Sequence, residues 1–188
     1  MTEAAVLPRR ERIIRALFEV IYHSGVDGVS MRAVAEAAQV SVGAIQHHFG
    51  SREQLIIAGC RAIVAGAEAA HRERSQDAAP LQTLRSIVAS PIPRTQQFRI
   101  GSTVWFAYLA KATSNPDVGT LLLETAVGTH RECVRLLDAV GVSDGTSTAT
   151  RLLALGEGLG QRVLIGALSA DEALGLLDAE LAVIAGSA

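Results

Sequence analysis

Apolar side chains recur every three or four residues along almost the whole chain, which is the spacing that lines one face of an α-helix. No run of alternating β-branched residues between turn signals indicates a strand. Hydrophobic residues make up 49% of the sequence and charged residues 19%, so the chain is too apolar to be disordered. Charges also interrupt the apolar runs too often for a membrane span. The sequence therefore predicts a soluble all-α protein of about nine helices.

Capping residues, prolines and glycines mark where these helices begin and end. Ser and Asn side chains accept hydrogen bonds from the free amides of a first helical turn, and proline is tolerated inside that turn. Helices are therefore expected to start at or just after Ser30, Ser41, Ser51, Pro80, Asn115 and Ser169. Breaks are expected at Gly25, Gly50, Pro91, Pro93 and residues 141–145.

Residues 30–49, SMRAVAEAAQVSVGAIQHHF, have the layout of a helix-turn-helix. Two helices of about eight residues are separated by a brief interruption at residues 39–41. The apolar members of this stretch should close a small core with the first helix: Val34, Ala38, Val40, Ile45 and Phe49. A helix of this kind fits the major groove of DNA, where short side chains near its N-terminal end let the backbone approach base edges.

The outer side of the second motif helix is the candidate DNA-reading surface. Its expected members are Val42, Gly43, Ala44, Gln46, His47 and His48. Hydroxyls, arginines and helix-start amides suit contacts to phosphates. That role is assigned to Ser30, Arg32, Ser41, His48, Ser51 and Arg52, with Arg9, Arg10 and Arg12 as a possible arm. A metal site at the two adjacent histidines is disfavoured, because neighbouring helical residues point about 100° apart.

The overall charge gives no independent sign of a nucleic-acid partner. The formal net charge is -2, and residues 1–60 carry six arginines against six acids. Nucleic-acid-binding proteins often carry a basic patch or stripe. Any affinity for DNA must therefore depend on the positions of individual basic side chains on the surface.

The run VSVGAIQHHFGSREQL resembles the end of the DNA-binding head of the TetR family of transcriptional regulators. In that head the recognition helix leads through a His-Phe pair into a capped Ser-x-Lys/Arg-x-x-Leu start of the fourth helix. The matching positions are His48, Phe49, Ser51, Arg52 and Leu55. The similarity covers residues 9 to about 60 and implies a DNA-binding domain at residues 1–55.

Two positions depart from the pattern of that family. Gln39 stands where the turn usually has glycine, so a left-handed backbone there would cost about 1 kcal/mol. Gln46 stands where many members carry a phosphate-binding tyrosine, so the contact it makes is left open.

Residues 98–184 resemble, more weakly, the C-terminal domain of the BetI-like branch of the family. The matching segments are FRIGSTVWFAYLAKATSNPDV and RLLALGEGLGQRVLIGALSADEALGLLDAEL. The resemblance implies a domain at residues 56–188 that dimerises and, as in many relatives, holds an effector. The candidate effector-binding residues are Phe98, Thr103, Trp105, Phe106, Leu109 and Leu122, with an ordinary apolar core as the alternative. Arg99 and Glu124 fit an ion pair better than a ligand site.

The last two helices carry apolar stripes that suit a dimeric four-helix bundle. Gly156 and Gly160 lie four residues apart and would let another helix come close, at a helical cost of roughly 1 kcal/mol each. The predicted interface consists of Leu152, Leu155, Gly156, Leu159, Gly160, Val163, Leu174, Leu177 and Leu181. The alternative is that these residues form an intramolecular core.

Other functional classes find little support in the sequence. It has no phosphate-cradling loop, no G-x-S-x-G elbow and no ligand-spaced His/Glu cluster, so no enzyme, metal or cofactor is expected. The first residues lack a signal peptide, which favours the cytoplasm. Cys60 and Cys133 are interpreted as reduced, packed thiols, with a thiol switch as the alternative.

Together these observations predict a sequence-specific transcriptional regulator. It is expected to be a homodimeric repressor that binds a palindromic double-stranded DNA operator, is released by an unidentified small-molecule effector and has no membrane partner. The alternative is an all-helical ligand-sequestering or protein-interaction module that does not bind DNA.

Overall fold

The computed structural model describes residues 8–75 and 78–186. Within those ranges the chain forms nine α-helices and no strand, which confirms the predicted all-α class. The helices are α1 Arg9–Ser24, α2 Met31–Ala38, α3 Val42–Phe49, α4 Arg52–Ser75, α5 Pro80–Val88, α6 Gln96–Ala112, α7 Pro116–Ala139, α8 Gly145–Leu164 and α9 Ala170–Gly186.

The predicted caps form the expected hydrogen bonds. Each capping side chain accepts from the amide three residues later, which satisfies one of the free donors of the first turn. The donor and acceptor pairs are Ala33 N to Ser30 Oγ (3.0 Å), Ala44 N to Ser41 Oγ (3.2 Å), Gln54 N to Ser51 Oγ (3.1 Å), Val118 N to Asn115 Oδ1 (3.0 Å) and Glu172 N to Ser169 Oγ (3.2 Å).

The chain separates into two compact units, and each unit is made of two segments that are not contiguous in sequence. One unit contains residues up to Ala65 together with Thr103–Leu122, and the other contains Gly66–Ser102 and the chain from Leu123 onward. We call them the head unit and the second unit. The predicted domain boundary after residue 55 stays a prediction.

The head unit is built on the apolar faces of α1, α2 and α3. Ile13, Leu17 and Ile21 of α1 are buried, as are Val34 of α2 and Ile45 of α3. This buried face is the three- and four-residue stripe read from the sequence. The motif helices are thereby fixed against α1, and their remaining sides are left to solvent.

A second packing contact in the head unit joins α4 to α6. The Tyr108 hydroxyl donates to the Ile56 carbonyl at 3.0 Å, and the tyrosine is fully buried. Burial raises the pKa of this hydroxyl, so it stays a donor. A Cβ placed on Gly59 would collide with the Tyr108 hydroxyl and with Leu17. Glycine at position 59 is therefore required for α4 and α6 to approach this closely.

The second unit has its own core, formed mainly by α5, α7, α8 and α9. Its fully buried members include Leu84, Leu137, Leu152 and Leu177. Arg85 of α5 and Asp178 of α9 form a two-point ion pair, with Nε–Oδ1 at 2.5 Å and Nη2–Oδ2 at 2.8 Å. Both side chains are more than 40% exposed, so this pair adds little stability compared with the core.

Both cysteines are buried thiols. Burial raises the pKa of the Cys60 thiol to about 11 and that of Cys133 to about 12. The thiolate is the reactive form of cysteine, and these pKa values keep its population low at neutral pH. The packing favours the interpretation of two reduced structural thiols.

Gln39 adopts the left-handed conformation anticipated for the turn, with φ 54° and ψ 48°. It is the one non-glycine residue with positive φ in the described part of the chain. We expect Gln39→Gly to raise the free energy of unfolding by about 1 kcal/mol, because glycine adopts this conformation without a Cβ penalty. Thermal denaturation followed by circular dichroism measures the effect. A stability equal to or below that of the wild type would contradict it.

Candidate nucleic-acid interface

The helix-turn-helix is assembled by local signals. Ser30 caps α2, Gln39 turns the chain, and Ser41 caps α3. Val34, Ala38, Ile45 and Phe49 are buried as predicted, whereas Val40 is only half-buried. The two short helices therefore have defined ends and a shared core, and α3 is held with one side free.

The outward side of α3 carries the residues predicted to read DNA. Gly43, Gln46, His47 and His48 are exposed, and Val42 is 42% exposed. A Cβ at Gly43 would meet only Ser41 Oγ, at 3.9 Å, so the space above this glycine is open. Ala44 is half-buried, and it contributes a methyl group at the edge of the surface.

The two histidines of α3 lie side by side in its last turn. Their ring centroids are 5.6 Å apart and the rings are tilted by 67°. No group of three or more potential metal ligands exists among residues 8–75 and 78–186. As exposed imidazoles in the last turn of α3, they suit hydrogen bonding to phosphates or base edges.

The arginines interpreted as a possible arm, Arg9, Arg10 and Arg12, lie within the first turn of α1. α1 begins at Arg9, and both Arg9 and Arg10 are exposed. The Arg10 guanidinium lies over the Phe49 ring, 5.6 Å from its centroid. Arg12 is half-buried, and its Nε has no hydrogen-bond partner. Arg10 therefore contacts the end of α3 from α1.

Arg52, which was predicted to contact a phosphate, forms hydrogen bonds with its own chain. Its Nε donates to the Val29 carbonyl at 2.6 Å, and its Nη2 donates to the carbonyls of Val26 and Asp27 at 3.3 and 3.2 Å. These carbonyls belong to the loop that leads into the Ser30 cap. Its Nε and Nη2 are thereby used inside the chain, which favours a role in fixing this loop over a phosphate contact.

We expect Arg52→Met to lower the free energy of unfolding by about 1–3 kcal/mol, because it leaves carbonyls without their donor. The slope of log K against log salt for operator binding should stay unchanged, since no phosphate contact is lost. Exposed Arg32 gives the matched control: Arg32→Met should reduce that slope by about one for each subunit, so by about two for a dimer, and leave stability unchanged. A reduced slope with wild-type stability in Arg52→Met would restore the phosphate assignment.

The predicted effector residues are divided between the two units. Thr103, Trp105, Phe106, Leu109 and Leu122 belong to the head unit, where Leu122 is buried and the others are half-buried. Phe98 belongs to the second unit and is 39% exposed, with the Arg94 guanidinium 5.5 Å from its ring centroid.

Arg99 donates to backbone carbonyls at the end of α8. Its Nη1 lies 3.0 Å from the Leu164 carbonyl oxygen and 3.5 Å from that of Val163. Both carbonyls lie in the last turn of α8, where the Val163 carbonyl also accepts from the Gly166 amide at 3.2 Å. A cation at a helix C-terminus is favourable. Arg99 therefore stabilises the end of α8 and does not pair with Glu124.

The residues predicted to form the dimer interface lie mostly inside a single chain, which corrects that prediction. Leu152, Gly156, Leu159, Gly160, Val163, Leu177 and Leu181 are buried, and Leu155 and Leu174 are half-buried. A Cβ at Gly156 would collide with the Val88 carbonyl oxygen, and one at Gly160 would lie 2.6 Å from that of Pro91. The glycines admit the chain's own residues 88–91.

Other apolar side chains of the second unit remain exposed. On α9 these are Leu176 and Val183, which are 54% and 65% exposed, and on α7 they are Leu123 and Val127. Leu176 and Val183 are seven residues apart and so lie on one face of α9. An apolar face of this kind is typical of an interface with another chain.

Two polar contacts in the head unit were missed by sequence reasoning. The Asn115 Nδ2 donates to Glu53 Oε1 at 2.8 Å, and Lys111 Nζ lies 3.3 Å from Asp27 Oδ1. Asn115 was predicted only as a helix cap. No spacing or pattern links residues 62 or 84 positions apart, so the sequence carried no signal for these pairs.

None of the helices in the described ranges is long and apolar enough to cross a membrane.

Two family profiles match the chain. The one described as "Bacterial regulatory proteins, tetR family" matches residues 13–58, and the one described as "BetI-type transcriptional repressor, C-terminal" matches residues 80–186.

Similar proteins include regulators from several bacteria. The HTH-type transcriptional regulator BetI of Burkholderia thailandensis is 30% identical over 158 residues, covering 80% of this chain and 79% of that protein. The HTH-type transcriptional regulator PksA of Bacillus subtilis is 25% identical over 162 residues, covering 84% of this chain and 79% of that protein.

Solved structures show the same fold. A transcriptional regulator from Rhodococcus sp. Rha1 superposes with a TM-score of 0.86 at 25% identity, covering 95% of this chain and 96% of that one. A regulator from Saccharomonospora viridis, solved in complex with choline, gives 0.81 at 25% identity, covering 90% and 93%. The chain therefore belongs to the TetR family of helix-turn-helix transcriptional regulators, with a C-terminal region of the BetI type.

Proposed function

We propose that this regulator is a repressor that binds a palindromic operator as a homodimer and is released by a small molecule. A closed two-fold dimer presents two identical heads, which would enter successive major grooves about 34 Å apart. The observation that carries the proposal is the open outer side of α3, where Gly43 leaves the helix backbone uncovered.

The side chains around Gly43 suit base contacts. The Gln46 amide can pair with the N6 and N7 edge of adenine, and the exposed Val42 can contact a thymine methyl group. They lie one turn apart on α3, so they face the same way. His47 and Ala44 complete the proposed reading surface.

Phosphate contacts are proposed for the groups that flank this surface. All of these side chains are exposed: Arg32 on α2, His48 on α3, Ser30 at the start of α2 and Ser51 at the start of α4. The first amides of α3 have no helical acceptors, and the helix dipole favours an anion at that end. Ser41 caps one of these amides and holds the N-terminus of α3 in place.

The dimer contact is proposed on the exposed apolar side chains of the second unit, because the residues first assigned to it are buried within the chain. Leu176, Ala179 and Val183 offer an exposed apolar stripe along α9, with the exposed Glu180 beside it. Covering such a stripe contributes roughly 25 cal/mol for each Å² removed from water. Family membership supports a homodimer.

The effector is proposed to be a small molecule bound by the half-buried aromatic residues of α6. The relative from Saccharomonospora viridis was solved with choline. Trp105 and Phe106 are of the residue types that attract quaternary ammonium groups through their ring faces. An effector of this type would have to bind one arrangement of the dimer more tightly than the other to cause release. Choline is therefore the first compound to test.

A fluorescence-anisotropy titration with the DNA upstream of the protein's own gene tests the proposed function. We expect salt-sensitive, sequence-dependent binding at two half-sites, and a dimeric mass in solution. Binding that is absent, or equal for unrelated DNA, would count against the repressor and favour the alternative of a sequestering or interaction module. The proposal includes the cytoplasm as location, a DNA-binding domain at residues 1–55, a C-terminal domain at residues 56–188 and no catalytic role.

A further inference from the structure

Within the head unit, two contacts join the end of α6 and the turn after it to earlier parts of the chain. One is the ion pair of Lys111 with Asp27, and the other is the hydrogen bond of Asn115 with Glu53. The Asp27 side chain is 92% exposed, so water weakens that ion pair. Asn115 is only 7% exposed, and its bond goes to a charged acceptor. The Asn115 bond is therefore the stronger of the two.

Asn115 uses both ends of its side-chain amide. Its Oδ1 accepts from the Val118 amide at 3.0 Å and so caps α7, while its Nδ2 donates to Glu53 at 2.8 Å. It is the only asparagine in the sequence. A serine or aspartate would cap α7 equally well, but only an amide can accept at one atom and donate at the other.

Glu53 lies at a position where a single contact can fix the orientation of the helix-turn-helix. It is in the first turn of α4, which follows α3 after only Gly50 and Ser51. Its neighbour Arg52 holds the loop carbonyls that precede the cap of α2. A contact that fixes the first turn of α4 therefore fixes both the exit of α3 and the entry of α2.

We propose that Asn115 is a positioning residue for operator binding, acting through Glu53. The inference rests on the proposed function, because it concerns how two heads engage one palindrome. A head that pivots at the start of α4 must give up orientational freedom when both half-sites are occupied, and that cost weakens binding. Binding to a single half-site does not require a fixed separation between the two heads, so its affinity should not depend on the Asn115–Glu53 contact.

The test is Asn115→Asp, which keeps an acceptor for the Val118 amide and replaces the donor with a carboxylate facing Glu53. Two DNA probes are used. One is a full duplex that the wild-type protein selects from a random library, and the other is a single half-site of that duplex, for which binding is measured at low salt. We expect roughly tenfold weaker binding to the full duplex. The protein should still unfold cooperatively, at a somewhat lower melting temperature because one largely buried hydrogen bond is lost. Half-site binding should match the wild type.

A second substitution gives the rescue. Glu53→Gln in the Asn115→Asp background should restore full-duplex affinity, because the glutamine amide can donate to the aspartate. Glu53→Gln alone should be near neutral, since its carbonyl still accepts from Asn115. Ser114→Asp is the matched control for charge: it adds the same charge at an exposed neighbour of Asn115 and should leave binding unchanged.

Several results would overturn the inference. They are an unchanged full-duplex affinity in Asn115→Asp, an equal loss on the half-site, a failed rescue, or the same loss in Ser114→Asp. If Asn115→Asp does not fold, Asn115→Ser keeps a capping hydroxyl that is too short to reach Glu53 and should show the same selective loss. A wild-type protein that selects no duplex would instead overturn the proposed function, and this inference with it.

Discussion

Replacing Gly43 with leucine is expected to weaken operator binding at least a hundredfold while leaving the fold intact. In the free protein the new Cβ meets only Ser41 Oγ at 3.9 Å, so the side chain has room. Leucine also favours a helix over glycine by about 0.8–1 kcal/mol, so stability should be equal or higher. On DNA, the larger side chain holds the backbone of α3 away from the bases. Each lost base contact is worth about 1–3 kcal/mol, and a dimer loses it twice.

Operator affinity by anisotropy and unfolding by circular dichroism separate these two effects. Gly66 provides the matched control, because it is also an exposed helical glycine with nothing within 4 Å of an added Cβ. Gly66→Leu should gain the same helical preference and bind the operator like the wild type. Operator binding retained by Gly43→Leu would show that α3 does not approach DNA at this residue.

The parts of the fold that were predicted correctly depend on partners close in sequence. A capping serine and the amide it accepts from are three residues apart, so Ser30, Ser41 and Ser169 announce helix starts without any knowledge of tertiary structure. The left-handed backbone at Gln39 was pointed to by the resemblance to the TetR family, which usually has glycine at this turn. The candidate reading surface on α3 follows from the same local pattern.

The parts that were missed depend on partners far away in sequence. In the sequence, an arginine after a capping serine carries no sign that it binds carbonyls 23–26 residues earlier, as Arg52 does. An apolar stripe shows that a helix buries one face, but the identity of the neighbour that covers it is tertiary information. Gly156 illustrates this, since its closest neighbour is Val88 of the same chain.

Gly156→Ala is expected to lower the free energy of unfolding by about 3 kcal/mol. The added Cβ would overlap the carbonyl oxygen of Val88 and lie 3.1 Å from its carbonyl carbon. These are backbone atoms, which cannot rotate aside as the end of a side chain can, so α5 and α8 must separate and lose their shared core contacts. For a chain of this length the melting temperature should fall by roughly 10 °C.

A control substitution on the same helix is expected to change the free energy of unfolding in the opposite direction. An added Cβ at Gly158 meets nothing within 4 Å, so Gly158→Ala should raise stability by up to about 1 kcal/mol through helix propensity alone. The pair also decides between the two uses of the α8 glycines, because a glycine that faced a second copy would change dimer dissociation and spare the fold of each subunit. If Gly156→Ala melts like the wild type and shifts the dimer dissociation constant instead, α8 packs against a partner there and the intrachain contact with Val88 is wrong.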